Sequence, residues 1–286
     1  MNNIFLIARL TWREAISKRL IFAVLLLSLA FVGLYLIGVY FLHQRFLARA
    51  AELGSQRGGP EIAYASITVM GMYIANFLGA LLGALSAIGA ISGEIESGTF
   101  FATLTKPLHR AQVLLGKWLG FASLTLLYII GLSGSLLIGV RAITDYAPPD
   151  PARAIALMVF GAILLLTLSI LGSSLFSTLA NGIVVFLLYG FAWVGGLLES
   201  IGRATDTPIL ETISRISQVL IPSDALWKGA SYHLQSASLL ESQRGFGGGN
   251  PFIGLEPVPL GLMLWAAMYI VLTLALAIWA FDRRDL

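Results

Sequence analysis

Residues 154–179 read AIALMVFGAILLLTLSILGSSLFSTL, an unbroken run without a charged side chain. The hydrocarbon core of a bilayer is about 30 Å thick, so a membrane-spanning helix needs about 20 mostly apolar residues. The run meets that length, and its apolar residues do not alternate with polar ones as in membrane barrels. Comparable runs occur at Leu20–Leu42, Ser66–Ile91, Lys117–Val140, Ile183–Leu198 and Leu260–Phe281. The sequence therefore predicts an all-α integral membrane protein with six transmembrane helices.

The composition of the chain agrees with this class. Hydrophobic residues make up 57% of the 286 residues and charged residues only 12%, and the mean hydropathy is +0.85, a profile typical of membrane proteins. The chain contains no cysteine, which excludes disulfides and thiolate-bound metals. The net charge is +3 without a basic run, so nucleic acid is not an expected partner. We expect a single membrane domain over residues 1–286, in contact with the lipid bilayer.

The first 19 residues predict an amphipathic helix on the membrane surface. Ile4, Ala8, Trp12, Ala15 and Ile16 recur at helical spacing, whereas basic residues take the opposite side. A helix of this kind lies in the interface with its apolar face toward the acyl chains. The alternative is a polar extension of the first span.

The distribution of positive charge predicts the orientation of the spans. Six spans place both termini on one side, where Lys and Arg cluster in short segments beside the spans; this favours cytoplasmic termini. The other side then carries loops at His43–Ala65, Arg141–Arg153 and Glu199–Pro259 (the extracytoplasmic loop, 199–259). In the last, helical spacing from Ile209 to Leu220, followed by Pro222-Ser223-Asp224, predicts one or two short helices on the outer membrane surface. Docking of a partner on these helices is the alternative.

Two local patterns indicate how the spans are connected and packed. Ser177–Gly182 predicts a tight connection between spans four and five, with Asn181-Gly182 suited to a turn. Small residues at four-residue spacing, Gly79, Gly83 and Ala87, predict close helix packing of span two.

The sequence shows no complete motif typical of an enzyme. No GxxxxGK[ST] phosphate-binding stretch occurs, so we expect no ATP hydrolysis by this chain. His43, His109 and His233 lie at span ends or in loops, so we expect no metal, no other bound cofactor and no catalytic residue. Gly131-Leu132-Ser133-Gly134 resembles the serine motif of rhomboid proteases, but no histidine inside a span could serve as its base.

A polar segment between spans two and three is the strongest functional signal. It reads Gly93-Glu94-Ile95-Glu96-Ser97-Gly98-Thr99, then Leu104-Thr105-Lys106-Pro107, then Leu114-Leu115-Gly116-Lys117. This segment resembles the intracellular loop of ABC-2 type ABC transporter permeases. The order of surface helix, six spans, long loop before the last span and charged end also matches that family. Within it, the chain is most similar to permeases associated with multicopper-enzyme maturation, such as those serving nitrous-oxide reductase.

The resemblance implies a role in ATP-driven transport, in the export direction, across the prokaryotic plasma (inner) membrane. In this family two permease subunits pair, which implies a homodimer here, and separate ATPase subunits, which bind ATP and Mg, dock beneath them. The loop at 92–116 would contain a coupling helix that contacts the ATPase. The residues carried over to that role are Glu94, Glu96, Gly98, Thr99, Lys106 and Pro107, and the candidates for the substrate path are Tyr73, Asn76 and Tyr128. A periplasmic accessory protein is a further candidate partner.

Two functions from other classes stay open on the sequence alone. A secondary transporter or channel working without an ATPase would need buried charges or broken helices near the bilayer midplane, and few are visible. An intramembrane hydrolase is supported only by Gly131–Gly134.

Overall fold

The computed structural model describes residues 3–17, 19–53, 59–96, 109–245 and 250–283. Over these ranges the secondary structure is helical, with no strand. The helices are α1 (Asn3–Ser17), α2 (Arg19–Leu53), α3 (Gly59–Ala87), α4 (Ser92–Glu96), α5 (Arg110–Thr144), α6 (Pro151–Leu175), α7 (Thr178–Thr205), α8 (Pro208–Leu220), α9 (Ser223–Leu234), α10 (Ala237–Gly245) and α11 (Leu260–Asp282).

Six helical stretches are long and apolar enough to cross a membrane, which confirms the predicted number of spans. They are Ile21–Arg49, Pro60–Glu96, Arg110–Thr144, Pro151–Leu175, Thr178–Thr205 and Leu260–Asp282. We call the side that holds α1, α4 and the end of α11 the terminal side, and the side that holds α8, α9 and α10 the distal side.

The predicted end of the first span is wrong. The loop predicted at His43–Ala65 is largely helical, because α2 continues to Leu53 and α3 begins at Gly59. Residues 44–53 lose the hydrophobicity of a span but contain good helix formers and no Gly or Pro. A helix can therefore extend beyond the bilayer, where hydropathy no longer reports it.

The predicted turn at Asn181-Gly182 is also wrong. α6 ends at Leu175, and α7 begins at Thr178 after Ser177, whose hydroxyl accepts a hydrogen bond from Ala180 N. Asn181 and Gly182 therefore lie in the first turns of α7. The sequence prediction overlooked that a serine N-cap starts a helix at this point. The fifth span, predicted to end at Leu198 or as late as Gly202, runs to Thr205.

α6 occupies the centre of the bundle. It packs against α3, α5, α7, α9 and α11. Of the residues in its most apolar stretch, 67% are buried inside the protein, whereas the corresponding share is 17% for α2 and for α11. A span that other helices surround needs no polar side, which explains why its run of apolar residues is unbroken. α2 and α11 leave most of their apolar surface for lipid or for another protein.

α1 occupies the predicted N-terminal position and packs against the first half of α5. A β-carbon at Gly116 would lie 2.6 Å from Ile7 Cβ, and one at Gly120 would lie 2.8 Å from Ala8 O. Only glycine permits this approach, and the four-residue spacing of the pair is that of a helix-packing motif. Thr11 and Ala15 are buried, whereas Ile16 is 50% exposed, so the contact of Ile16 with acyl chains stays a prediction.

The distal segment between α7 and α11 contains three short helices where one or two were predicted. The predicted stop and restart at Pro222-Ser223-Asp224 is confirmed, because α8 ends at Leu220 and α9 begins at Ser223. α9 does not lie on the surface: Leu226, Trp227 and Ala230 are among its buried residues, and it packs on α6. α8 instead exposes its apolar residues and buries Ser214 and Ser217.

Candidate functional site

The helix of the second span breaks shortly before the polar segment. α3 ends at Ala87, residues 88–91 form a turn, and α4 begins at Ser92. A break of this kind removes backbone groups from the helical hydrogen-bond pattern, and buried backbone groups require other partners. Side chains from three neighbouring helices supply these partners. We call this set the α4 junction; it comprises Ser92, Glu94, Glu96, Lys117, Ser173, Thr178 and Asn181.

Neutral side chains of α6 and α7 hold the turn itself. Ser173 Oγ accepts hydrogen bonds from Ile91 N at 2.8 Å and Ser92 N at 3.1 Å. Asn181 Nδ2 donates to Ile88 O at 2.7 Å and to Ser169 O at 2.8 Å. Both side chains are fully buried. The position of the break is therefore fixed by residues more than eighty positions along the chain.

An ion pair joins α4 to α5. The Glu94 carboxylate contacts the Lys117 ammonium, and their side chains are 25% and 9% exposed. Lys117 Nζ also donates to Ala90 O at 2.6 Å. A buried ammonium without a partner is strongly destabilising, so Glu94 provides the charge that allows Lys117 to lie inside the bundle.

The second carboxylate joins α4 to α7. Glu96 Oε1 accepts from Thr178 N at 3.0 Å, and Glu96 Oε2 accepts from Thr178 Oγ1 at 3.0 Å. Thr178 is the first residue of α7, so the carboxylate lies at a helix N-terminus, where negative charge is stabilised. The Thr178 hydroxyl also lies 2.8 Å from Ser92 Oγ.

The structure thus places two of the predicted coupling residues, Glu94 and Glu96, on α4, with their carboxylates bonded within the chain. Gly98, Thr99, Lys106 and Pro107 fall in 97–108, outside the described residues. The sequence analysis did not assign Lys117, Ser173 or Asn181 to the site. A signal was present for Lys117 and Asn181, because an ammonium or amide group that is buried beside an apolar run requires a partner.

The predicted substrate-path residues separate into two places. Tyr73 and Asn76 line one narrow cleft on the distal half of the bundle, with a cavity volume of about 20 Å³. Tyr128 lies elsewhere: its hydroxyl is 2.5 Å from Ser28 Oγ, and it faces a depression between α2 and α5. Residues that the sequence did not indicate also line the cleft, namely Tyr189 and Trp193 of α7 and Ser223, Asp224 and Trp227 at the start of α9.

The cleft borders a cluster of charges between α7 and α9. Lys228 Nζ lies 2.8 Å from Glu199 Oε2 and 3.4 Å from Asp224 Oδ2, and it donates to Gly196 O at 2.7 Å. Glu199 also binds Arg203 at 2.5 Å. Burial raises the pKa of Asp224 from 3.8 to about 6, although the Lys228 charge opposes this shift. We call Glu199, Asp224 and Lys228 the distal charge cluster.

The predicted packing residues of the second span lie at contacts between helices. A β-carbon at Gly79 would be 2.6 Å from Ile129 Cγ1 of α5, and one at Gly83 would be 3.1 Å from Ala162 O of α6. Ala87 is fully buried. Small side chains here keep α3 close to α5 and α6 at a level between the cleft and the α4 junction.

Comparison with known proteins assigns the chain to a family. A family model described as ABC-2 family transporter protein matches residues 5–286. This chain belongs to that family. The resemblance stated from the sequence is thus confirmed, and the six apolar spans are those of a multi-pass membrane protein.

Two curated relatives share part of this ABC-2 family chain. "Probable ABC transporter permease protein NosY" of Pseudomonas aeruginosa is 34% identical over 163 residues, which cover 56% of this chain and 52% of the relative. The protein of the same name from Stutzerimonas stutzeri is 30% identical over 205 residues, which cover 71% of this chain and 63% of the relative. The match therefore spans less than two thirds of either relative.

Proposed function

We propose that this chain is the transmembrane permease subunit of an ATP-binding cassette transporter. It carries no ATPase centre; a separate ATPase subunit binds ATP and Mg and docks on the terminal side, which faces the cytoplasm of a prokaryotic cell. The observation that carries the proposal is the α4 junction, because α4 forms the beginning of the polar segment through which members of this family contact the ATPase.

The junction supports a mechanical role for the polar segment. A displacement of α4 acts on α3 through the chain, on α5 through Glu94 and Lys117, on α6 through Ser173 and on α7 through Glu96 and Thr178. Packed helices shift as bodies and do not deform continuously. The force of nucleotide binding would therefore reach four spans together.

α7 connects the junction to the distal cleft. Its first residue, Thr178, is bonded to α4, whereas Trp193 lines the cleft and donates to Tyr73 OH at 2.6 Å. A tilt of α7 that begins at the junction would change the width of the cleft beside Tyr73 and Asn76. We propose this cleft as part of the substrate path, and export as the direction of transport.

The remaining assignments rest on the same proposal. The exposed apolar faces of α2 and α7 suit contact with a second copy, so we propose a homodimer. The distal helices would lie outside the cytoplasm, within reach of a periplasmic accessory protein.

Site-specific cross-linking tests the proposal. A photoreactive amino acid replaces Glu96 on the terminal side, and in a matched control it replaces Glu241 on the distal α10. In cells that co-express this chain with a candidate ATPase subunit, position 96 is expected to cross-link to the ATPase and position 241 is not. Cross-linking from position 241 alone, or labelling of position 96 by an impermeant reagent outside the cell, contradicts the proposal.

A second candidate is a transporter driven by an ion gradient, favoured by the distal charge cluster, which places ionisable groups inside the protein beside a cleft. Proton flux through liposomes that contain this chain alone supports the second candidate. Flux that requires the ATPase and ATP supports the first.

A further inference from the structure

A large groove lies on the distal half of the bundle between the beginnings of α6 and α11. Its cavity volume is about 550 Å³, within the range of small-molecule sites. It is separate from the cleft of Tyr73 and Asn76 and shares no lining residue with it. The residues that line it are Arg153, Ala156, Leu157, Phe160, His233, Pro257, Val258 and Met263.

The groove has two chemically different ends. Arg153, in the first turn of α6, and His233, near the end of α9, provide the basic groups. Leu157 and Phe160 follow one and two turns deeper along α6, and Met263 lies in the first turn of α11. From Arg153 to Phe160 the helix rises roughly 10 Å. A polar mouth at the membrane boundary thus leads into an apolar wall inside the bilayer.

The basic mouth retains hydrogen-bond donors for a ligand. Arg153 Nε pairs with Asp150 Oδ2 at 3.2 Å, and the Arg153 side chain is 73% exposed. In the parts of the chain that the structure describes, the two terminal nitrogens of this guanidinium and the ring nitrogens of His233 have no hydrogen-bond partner, and the His233 ring lies edge-on to Tyr232. Asp150 offsets part of the charge, so recognition depends on directed N–H groups.

We propose that this groove binds a membrane phospholipid with an anionic headgroup, its phosphate at Arg153 and His233 and one acyl chain along Leu157, Phe160 and Met263. The groove opens at the boundary of a span, where bilayer lipid is always present, and contact of its apolar wall with an acyl chain keeps that wall from water. Guanidinium groups form directed, charge-assisted hydrogen bonds to phosphate. The site does not depend on transport, on the ATPase or on the orientation of the chain.

Native mass spectrometry of the purified full-length chain tests the site. The detergent-solubilised protein is titrated with phosphatidylglycerol, phosphatidylcholine or inorganic phosphate, and bound lipid is counted. We expect retention of phosphatidylglycerol about fivefold above phosphatidylcholine, the effect of roughly one basic residue at a lipid surface. Inorganic phosphate at equal concentration is expected not to displace the lipid.

Three variants separate the headgroup from the acyl chain. Arg153→Gln combined with His233→Gln is expected to abolish the preference for phosphatidylglycerol while binding of both lipids persists at the lower level. Ala156→Phe fills the groove at an exposed wall position and is expected to remove the binding of both. Arg215→Gln is the matched control: this exposed distal arginine also has an acidic partner on its own helix, Glu211 at 3.7 Å, and its loss is expected to change nothing.

Several outcomes overturn the proposal. An unchanged lipid preference in the double variant removes the headgroup role of Arg153 and His233. Unchanged lipid binding in Ala156→Phe, measured on protein with a wild-type melting temperature, places the lipid elsewhere. Displacement by inorganic phosphate alone indicates a simple anion site, and release of the bound amphiphile only during ATP-driven turnover identifies a transported substrate instead of a resident lipid.

Discussion

The α4 junction and the distal charge cluster are both polar regions inside an apolar bundle, yet their charges are balanced differently. At the junction, Lys117 is matched by Glu94, and Glu96 is matched by a helix N-terminus. At the distal cluster, two carboxylates share Lys228, with Asp224 Oδ2 at the longer distance of 3.4 Å, and Ser223 Oγ has no hydrogen-bond partner in the described part of the chain. The junction is therefore built to move as one body, whereas the cluster retains a group whose charge can change.

The largest effect is expected when the charge balance of the junction is broken. Glu94→Leu leaves the Lys117 ammonium largely buried without its partner, and we expect a loss of about 3 kcal/mol in the free energy of unfolding. Thermal unfolding in detergent measures this loss. The double variant Glu94→Leu, Lys117→Met removes both charges and is expected to recover most of the stability. An equal loss in the single and double variants would show that the pairing of charges is not what the junction requires.

In the distal charge cluster, removal of a carboxylate is expected to stabilise the protein, the opposite of the effect at the junction. Because the pKa of Asp224 is raised to about 6 in the folded protein from 3.8, the folded state binds more protons than the unfolded state between these values. The contribution of Asp224 to the free energy of unfolding is therefore largest below about pH 4 and is lost as the pH rises through 6. Asp224→Asn removes the ionised carboxylate and is expected to stabilise the protein by about 2 kcal/mol at pH 7.

The measurement for this variant is the melting temperature between pH 4 and pH 8. Lys228, which pairs with Asp224, and Glu199, which pairs with Lys228, are the charged groups that face this site, and both stay in place. Glu241→Gln, at an exposed acid of α10, is the control and is expected to leave the pH profile unchanged. A profile in Asp224→Asn that still falls between pH 4 and 6 would assign the titration to another group.

The smallest effect on stability is expected at Glu96. Its side chain is exposed, so Glu96→Gln is expected to cost only about 0.5 kcal/mol, through a weaker interaction with the α7 N-terminus. The same variant should loosen the link between α4 and α7. Hydrogen exchange at the first turn of α7 is expected to rise, whereas exchange in α9 stays at the wild-type rate. Equal exchange at the first turn of α7 in both proteins would show that Glu96 does not restrain that helix.

The sequence predicted the elements of this fold better than their ends. Hydropathy reports contact with lipid, so it located all six spans but missed the part of α2 that continues to Leu53 and the start of α7 at Thr178. The sequence also singled out Glu94 and Glu96 by resemblance and Tyr73 and Asn76 by polarity, and their coupling and substrate-path roles stay predictions.

The partners of these residues could not be predicted for a physical reason. Ser173 meets Ser92, and Asp224 meets the cleft of Tyr73, only after helices distant in the chain have packed together. One sequence contains no record of such long-range pairs. Asn181 was predicted in a turn because asparagine favours turns, whereas its buried bonds to Ile88 O and Ser169 O determine its place.

The docking of α1 on Gly116 and Gly120 has a consequence for biogenesis. Ribosomal synthesis proceeds from the N-terminus, so α1 emerges long before the glycines that receive it. Until α5 has entered the bilayer, α1 cannot make its contacts with Gly116 and Gly120. α1 is thus made before α5 but reaches its contacts only after α5, and nascent chains arrested before Gly116 would present an undocked α1.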